Sequence, residues 1–387
     1  MIRVMISCGE ASGDLYAGAL AAEIRRLAPD AEISGFGGER LESAGARLLG
    51  DYRGFSVTGL TEALRVLPRS WRMLRRLSRA AADARPSVFV AIDFPDFNFR
   101  LAAAMRRLGV PVVYYVSPQL WAWRSGRMAT MKRLASRVLV IFPFEVPIYE
   151  AAGVPVEFVG HPLVDLARAS VPRAAFLGGL RLDPAAPTIA LLPGSRRNEV
   201  GMILPRLADA ARLVAARVPR AQFVVARAPS LDARLFAPVT PPAFADGPPL
   251  AIVEGRTDDV LAAADVAITA SGTATVQAAL HLRPMVIVYR LSPLTYALGK
   301  PLVRVDTYGM VNLVAGRRVA AELIQSTFTP EAVAEETVRL LTDETAAQEM
   351  RLALGEVREK LGRPGASRRA AEAVLRVARS ADRSEQG

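Results

Sequence analysis

Residues 188–200 read TIALLPGSRRNEV. An apolar run ends at Pro193, a Gly194-Ser195 turn follows, two arginines come next, and a helix-forming segment begins near Asn198. A strand that passes through a glycine turn straight into a helix is the unit of a parallel α/β sheet. Its turn lies at the carboxyl edge, where such sheets bind ligands. Free amides and the positive end of the helix dipole favour an anion there, and Arg196 and Arg197 can add charge and bidentate hydrogen bonds. No GxxxxGK[ST] motif occurs, which disfavours metal-bound triphosphate chemistry of the P-loop kind. A plain strand-to-helix turn with two solvated arginines is the competing reading.

The same alternation extends to both sides of this stretch. IRVMIS (2–7), EISGF (32–36), SVFVAID (87–93), VPVVYYV (110–116), RVLVIF (137–142) and VEFVG (156–160) read as strands, with helical patterns such as DLYAGALAAEIRRL between them. A second series follows: TIALLP (188–193), QFVVAR (222–227), LAIVE (250–254), DVAITA (265–270) and MVIVYR (285–290). These runs are continuously apolar rather than alternating, as expected of strands covered by helices on both faces. The expected fold is α/β, two Rossmann-like doubly wound domains facing a cleft. The boundaries read as a first domain over 1–165, a Pro- and Gly-rich linker over 166–187, a second domain over 188–328, and a helical segment over 329–387.

Composition narrows the function classes. The 49 basic and 38 acidic side chains leave a net charge of +11, which suits phosphorylated substrates, anionic lipid or nucleic acid. Lys132, Lys300 and Lys360 are the only lysines, so a general preference for arginine and alanine explains the charge equally well. Cys8 is the only cysteine, and no intrachain disulfide can form. The opening MIRVMISCGE is too short an apolar run for a signal sequence, and no stretch has bilayer-spanning length. A cytoplasmic protein, free or peripheral to a membrane, is expected.

Other stretches carry candidate chemistry. ASGTATVQAAL (270–280) is a second glycine turn after a strand: Ser271, Gly272 and Thr273 offer amides and hydroxyls to an anion, and Gln277 could hydrogen-bond a ribose. Two such turns in one domain fit a diphosphate. CGEASGD (8–14) is a third, but Glu10 and Asp14 make it a poor phosphate cradle; it suits sugar hydroxyls, or Asp14 simply begins a helix. In AIDFPDFNFRLA (91–102), Asp93 ends a strand and is either a general base or structural, while Asp96 and Asn98 stand where a helix N-cap is needed. His161 and His281 have no second ligand at metal spacing, and His161 reads as structural.

The stretch 59–80, GLTEALRVLPRSWRMLRRLSRA, sets Leu60, Leu64, Leu67, Trp71 and Leu74 on one helical face and Arg65, Arg69, Arg72, Arg76 and Arg79 on roughly the other. That pattern fits a helix lying on an anionic membrane or one flanking a sheet, and Pro68 should break or kink it.

Taken together, GEASGD, GFGGERLESAG, DFPDFNFRLA, YYVSPQLWAWRSGR, FPFEVPIYEAAGVPVEFVGHPL, LLPGSRRNEV, ASGTATVQAAL, YRLSPLTYALGK and NLVAG resemble, in order and over nearly the whole chain, the lipid-A-disaccharide synthase family of GT-B-type glycosyltransferases. The resemblance implies transfer of 2,3-diacylglucosamine from UDP-2,3-diacylglucosamine to the 6-hydroxyl of 2,3-diacylglucosamine 1-phosphate, with inversion and without metal or other cofactor. It implies an acceptor-side first domain and a second domain that binds the UDP-sugar. It further implies peripheral attachment to the anionic inner-membrane surface, a homodimer exchanging C-terminal segments (these helices otherwise packing on the first domain), and no nucleic-acid partner.

By motif, Asp93 and Arg196 match the essential pair, and Gly194, Ser195, Ser271, Gly272, Thr273, Gln277 and Asn312 fall on the nucleotide side. Glu10 and Ser12 fall on the acceptor side, and the membrane surface begins near Leu60. Many relatives carry glutamate where this chain has Gln277, which removes a charge-assisted contact. Two rivals share parts of this pattern. Another GT-B enzyme acting on UDP-N-acetylglucosamine, such as a lipid-linked transferase or an epimerase, would lack SPQLWAWR and DFPDFN. A nucleic-acid-binding module would explain the charge, yet the arginines are dispersed and no recognition motif occurs.

Overall fold

The computed structural model describes residues 1–53, 55, 60–120, 125–292 and 307–384. Within them the chain forms two compact units: Met1–Pro162 with the C-terminal segment from Leu361, and the residues between Leu163 and Lys360.

The first unit is built on β1 (Arg3–Cys8), β2 (Glu32–Gly37), β3 (Arg47–Asp51), β4 (Val88–Ile92), β5 (Val112–Tyr115), β6 (Arg137–Val140) and β7 (Val156–Phe158). They lie in the order β3-β2-β1-β4-β5-β6-β7, and every pairing is parallel. β4 is buried at all its positions because helices cover both faces. On one face Met5, Phe89, Val112 and Tyr114 pack with Leu77 and Ala81 of helix Leu60–Ala84 and with Leu101 and Met105 of helix Pro95–Arg107. Helices Ala11–Leu27 and Ala366–Ser384 pack on each other and on the sheet.

The second unit has β8 (Thr188–Leu192), β9 (Gln222–Arg227), β10 (Leu250–Glu254), β11 (Val266–Ala270), β12 (Met285–Tyr289) and β13 (Ala321–Ile324). Their order is β10-β9-β8-β11-β12-β13, again all parallel. In each sheet the strand order reverses at one place, between β1 and β4 and between β8 and β11. Neighbouring connections there leave in opposite directions, opening a crevice at the carboxyl edge. Both sequence-expected sites fall on these reversals.

The structure departs from the sequence reading in several places. β3 and β13 were not expected; both are edge strands whose residues are mostly half-buried, so they lack the continuous apolar run that marks the inner strands. Residues 166–187 are not a bare linker. Helix Arg173–Gly179 lies there, and Arg173 donates to the Ala263 carbonyl at 2.6 Å and pairs with Asp265 at 3.0 Å, tying the segment to the second unit. The terminal helices divide between the units. Pro330–Thr342 and Glu344–Lys360 stay with the second, while Ala366–Ser384 joins the first through Arg369 Nε, 2.9 Å from the Val159 carbonyl. Pro68 does not end its helix, which runs unbroken from Leu60 to Ala84. Proline forfeits one backbone hydrogen bond there, and burial of Leu77 and Ala81 in the following turns offsets that loss.

Candidate active site

In the first unit β1 and β4 end abreast, Cys8 opposite Ile92, so their loops Gly9-Glu10 and Asp93-Phe94 leave the sheet side by side. A Cβ on Gly9 would run into the Phe94 ring, so only glycine lets these loops touch. Asp93 and Phe94 both adopt positive φ, +43° and +50°. Such left-handed conformations cost non-glycine residues on the order of 1–3 kcal/mol each and persist only where surrounding bonds enforce them. Those bonds are present. Asp93 N–H points to the carbonyls of Tyr115 and Val116 at 3.4 and 3.2 Å, and its own carbonyl accepts from Asn98 Nδ2 and the Tyr114 hydroxyl, both at 2.8 Å. The half-buried Asp93 is thereby fixed just beyond the strand's carboxyl end.

The capping roles expected for Asp96 and Asn98 are not found. Phe94 occupies the N-cap position and Pro95 opens the helix, because the left-handed turn delivers the chain already inside the first turn. Asp96 sits exposed in that turn, 2.6 Å from Arg127. Asn98 is fully buried and clamps the turn instead. Asp14 does not begin its own helix either; that helix starts at Ala11 with Glu10 at its N-cap. The buried Asp14 carboxylate accepts from the backbone N–H groups of Gly38, Arg40 and Leu41 at 2.7, 3.0 and 3.3 Å, capping the neighbouring helix Glu39–Ser43. Glu10 and Ser12 remain half-buried at the start of helix Ala11–Leu27. His161 packs between the rings of Tyr16 and Phe142, and burial lowers its pKa to about 3. It is a neutral core residue.

In the second unit β8 and β11 run in register, Leu192 beside Thr269, and the turns after them are neighbours. Gly194 has φ +114°, and a Cβ there would sit 2.7 Å from Glu199 Oε2. Arg196 is the extended N-cap residue of helix Arg197–Arg217, and its guanidinium lies 3.1 Å from Glu199 Oε1. Glu199 is buried and folds back over the turn, so the arginine is held at the mouth of the helix rather than dispersed into solvent. Tyr289, at the end of β12, has its hydroxyl pKa pushed up by burial and by the Glu199 charge, with Arg196 opposing. Ser271 N–H donates to the Val288 carbonyl and its hydroxyl to the Tyr308 carbonyl at 2.8 Å. Gly272 caps helix Thr273–Leu280 with open space where a Cβ would stand. Gly194, Ser195, Arg196, Ser271, Gly272 and Thr273 thus occupy one carboxyl edge, at the strand reversal.

Two nucleotide-side expectations change. Asn312 is not available to a ligand: its amide donates to the Ala320 carbonyl and Glu322, and its oxygen accepts from the N–H groups of Val319 and Ala320. With both donors used and two lone pairs occupied, its capacity is spent on the protein. Gln277 donates to Asp258 at 3.3 Å, as His281 also contacts that carboxylate at 3.0 Å, so its amide is already oriented by a neighbour. Glu322, which the sequence did not single out, accepts from Tyr308, Gly309 and Asn312 and ties the start of helix Met310–Ala315 to β13. A lone glutamate on an edge strand carries no local signal of such a task.

The expected membrane face is also divided. The side chains of Leu60 and Leu64 lie outside the described residues. Leu74 is half-buried and packs against the core beneath the helix. Leu67 and Trp71 are exposed, at 39% and 50%, with the Arg100 guanidinium 5.5 Å from the Trp71 ring. Arg72, Arg75, Arg76 and Arg79 line a shallow depression along the same helix. Among the described residues no helix is long and apolar enough to cross a membrane.

Comparison with known proteins gives a consistent result. A family model described as lipid-A-disaccharide synthetase matches residues 4–377. The lipid-A-disaccharide synthase of Myxococcus xanthus (strain DK1622) is 44% identical over 375 residues, 97% of each chain. That of Anaeromyxobacter dehalogenans (strain 2CP-C) is 45% identical over 377 residues, 97% of this chain and 98% of its own. Among solved structures, UDP-GlcNAc 2-epimerase from Neisseria meningitidis bound to UDP-GlcNAc superposes with a TM-score of 0.67 at 12% identity, covering 97% of this chain and all of that one. The calicheamicin glycosyltransferase gives 0.61 at 18% identity, covering 97% and 98%. At such identities the likeness is one of fold, and the fold is of the GT-B type.

Proposed function

Because the chain belongs to the lipid-A-disaccharide synthase family of glycosyltransferases, we propose that it transfers 2,3-diacylglucosamine from UDP to the 6-hydroxyl of 2,3-diacylglucosamine 1-phosphate. In this reaction the Asp93 carboxylate takes the hydroxyl proton as the oxygen attacks the anomeric carbon. The bond from that carbon to the β-phosphate oxygen breaks, its electron pair leaves with UDP, and the anomeric centre inverts. Arg196, with the amides of the Gly194 and Gly272 turns, stabilises the charge that builds on the departing diphosphate. Ser195 and Thr273 add hydroxyl contacts, and Gln277, oriented by Asp258, offers its amide oxygen to the ribose. Glu10 and Ser12 face the acceptor sugar.

The observation that carries this reading is the pairing of two glycine turns at the β8/β11 reversal, with a buried glutamate holding Arg196 over one of them. A diphosphate carries enough charge and enough oxygens to occupy both turns. Diacylated substrates reside in a bilayer, and exposed Leu67 and Trp71 beside a row of arginines suit peripheral attachment to an anionic cytoplasmic membrane face. The test is incubation of the purified protein with UDP-2,3-diacylglucosamine and 2,3-diacylglucosamine 1-phosphate, read by mass spectrometry. Disaccharide 1-phosphate and UDP in equal amounts are expected; UDP without disaccharide, or no turnover, would overturn the assignment.

A further inference from the structure

The Asp93 turn is held in place chiefly by side chains that never reach the surface. Asn98 and Ser7 are fully buried, and so is Tyr114. The Ser7 hydroxyl donates to Asn98 Oδ1 at 2.7 Å, which fixes the amide so that Nδ2 faces the other way. There Nδ2 meets the carbonyls of Ser7 and Ile92, each at 3.2 Å, and that of Asp93 at 2.8 Å. The Tyr114 hydroxyl reaches the same Asp93 carbonyl from β5. One amide therefore bridges the ends of β1 and β4, and two donors converge on the peptide oxygen that follows the Asp93 α-carbon.

We infer that Asn98 and Tyr114 are positioning residues for the Asp93 carboxylate, an inference that rests on the reading of Asp93 as the base. Consecutive left-handed residues such as Asp93 and Phe94 relax toward extended backbone unless something enforces them. Rotation of the 93–94 peptide swings the Asp93 Cα–Cβ bond, and a base displaced from hydrogen-bond reach of its proton loses its advantage. Anchoring the carbonyl prevents that rotation without drawing on the carboxylate. Sequence alone suggested a cap for Asn98 because asparagine early in a helix usually is one. The fold gives it three carbonyls instead.

The experiment measures kcat, both KM values and the kcat–pH profile of the full chain for Tyr114→Phe, Asn98→Asp, Asp93→Asn and the double variant Tyr114→Phe/Asp93→Asn. Thr337→Val, which removes a buried hydroxyl bonded within a helix of the other unit, is the control. Tyr114→Phe should lower kcat by about tenfold to a hundredfold, the loss that follows a small misplacement of a reacting group. Both KM values should hold within about twofold, and the acid limb of the pH profile should move. Asn98→Asp, of the same shape but lacking the donor edge, should do the same more severely. If that variant fails to fold, Tyr114→Phe carries the test. In the Asp93→Asn background the tyrosine substitution should cost nothing further, because it acts through a carboxylate already gone.

A normal kcat and pH profile for Tyr114→Phe, with Asp93→Asn impaired, would overturn the positioning role. An equal loss in both backgrounds would do so as well. Undiminished turnover in Asp93→Asn would instead defeat the assignment of the base.

Discussion

Gly194→Ala probes the diphosphate turn without touching a charge. At φ +114° an alanine enters backbone space that L-residues rarely occupy, a cost of about 1–3 kcal/mol. Its Cβ would stand 2.7 Å from Glu199 Oε2 and 3.0 Å from Glu199 Cβ, so the carboxylate has to move. Moving it loosens the 3.1 Å contact with Arg196, a charge-assisted bond of a type worth about 1.5–3 kcal/mol when well made. Arg196 is about one-third exposed, so solvent screening reduces that figure to roughly 1 kcal/mol. Backbone strain and the freed arginine together should raise the UDP dissociation constant by about tenfold or more, since each 1.4 kcal/mol is a decade. Calorimetric titration with UDP measures this, and thermal melting should show the second unit destabilised. Gly178→Ala is the comparison: Gly178 sits in a helix with nothing within 4 Å of the new methyl, so UDP affinity should not change and stability should rise slightly. Wild-type UDP affinity in Gly194→Ala would refute the placement of the diphosphate on this turn.

Three further outcomes are expected. Asp93→Asn keeps the side-chain shape and should cut kcat on the order of 10²–10⁴-fold while UDP affinity stays near wild type, as steady-state kinetics and titration together report. Replacing Leu67 and Trp71 by serine removes two roughly half-exposed apolar side chains, each worth about 1.5–3 kcal/mol when fully buried. Co-sedimentation with anionic vesicles should fall by about tenfold or more with the melting temperature unchanged, and equal sedimentation would exclude this face. His161 stays neutral in the fold, its pKa lowered to about 3 by burial, whereas the unfolded chain protonates it near 6.5. Its contribution is therefore complete above the unfolded value and declines as pH falls from about 6.5 toward 3, by about 1.4 kcal/mol per pH unit. Urea unfolding near pH 7.5 and pH 5 should show that slope diminished by about this amount in His161→Phe.

Legibility in the sequence followed burial. The inner strands β4, β8 and β11 are buried at every position, so their apolar runs were plain, and the glycine turns after β8 and β11 were found from residue type alone. The edge strands β3 and β13 escaped because half-burial imposes no periodicity on so few residues. Asp14, Asn98 and Asn312 were each noticed and each given a different task by the fold. A carboxylate or amide advertises its hydrogen-bonding capacity, but its partners lie 24 residues away for Gly38 and 91 for Ser7, beyond any local pattern. The stripe from Leu60 to Leu74 divides for a related reason: helical spacing locates an apolar side but does not say which of its residues the core reaches. Leu74 is half-buried against the core and Trp71 is exposed.

By itself the sequence determined two parallel α/β series, the strand-turn-helix junctions at Gly9, Gly194 and Gly272, and the family, because short-range steric rules and runs of apolar residues act within a few positions along the chain. Tertiary structure alone decided that the junctions pair at the strand reversals, that Glu199 restrains Arg196, and that Asn98 and Tyr114 converge on Asp93. Those outcomes depend on which strands become neighbours, and strand order is selected by the packing of whole layers rather than by any local stretch.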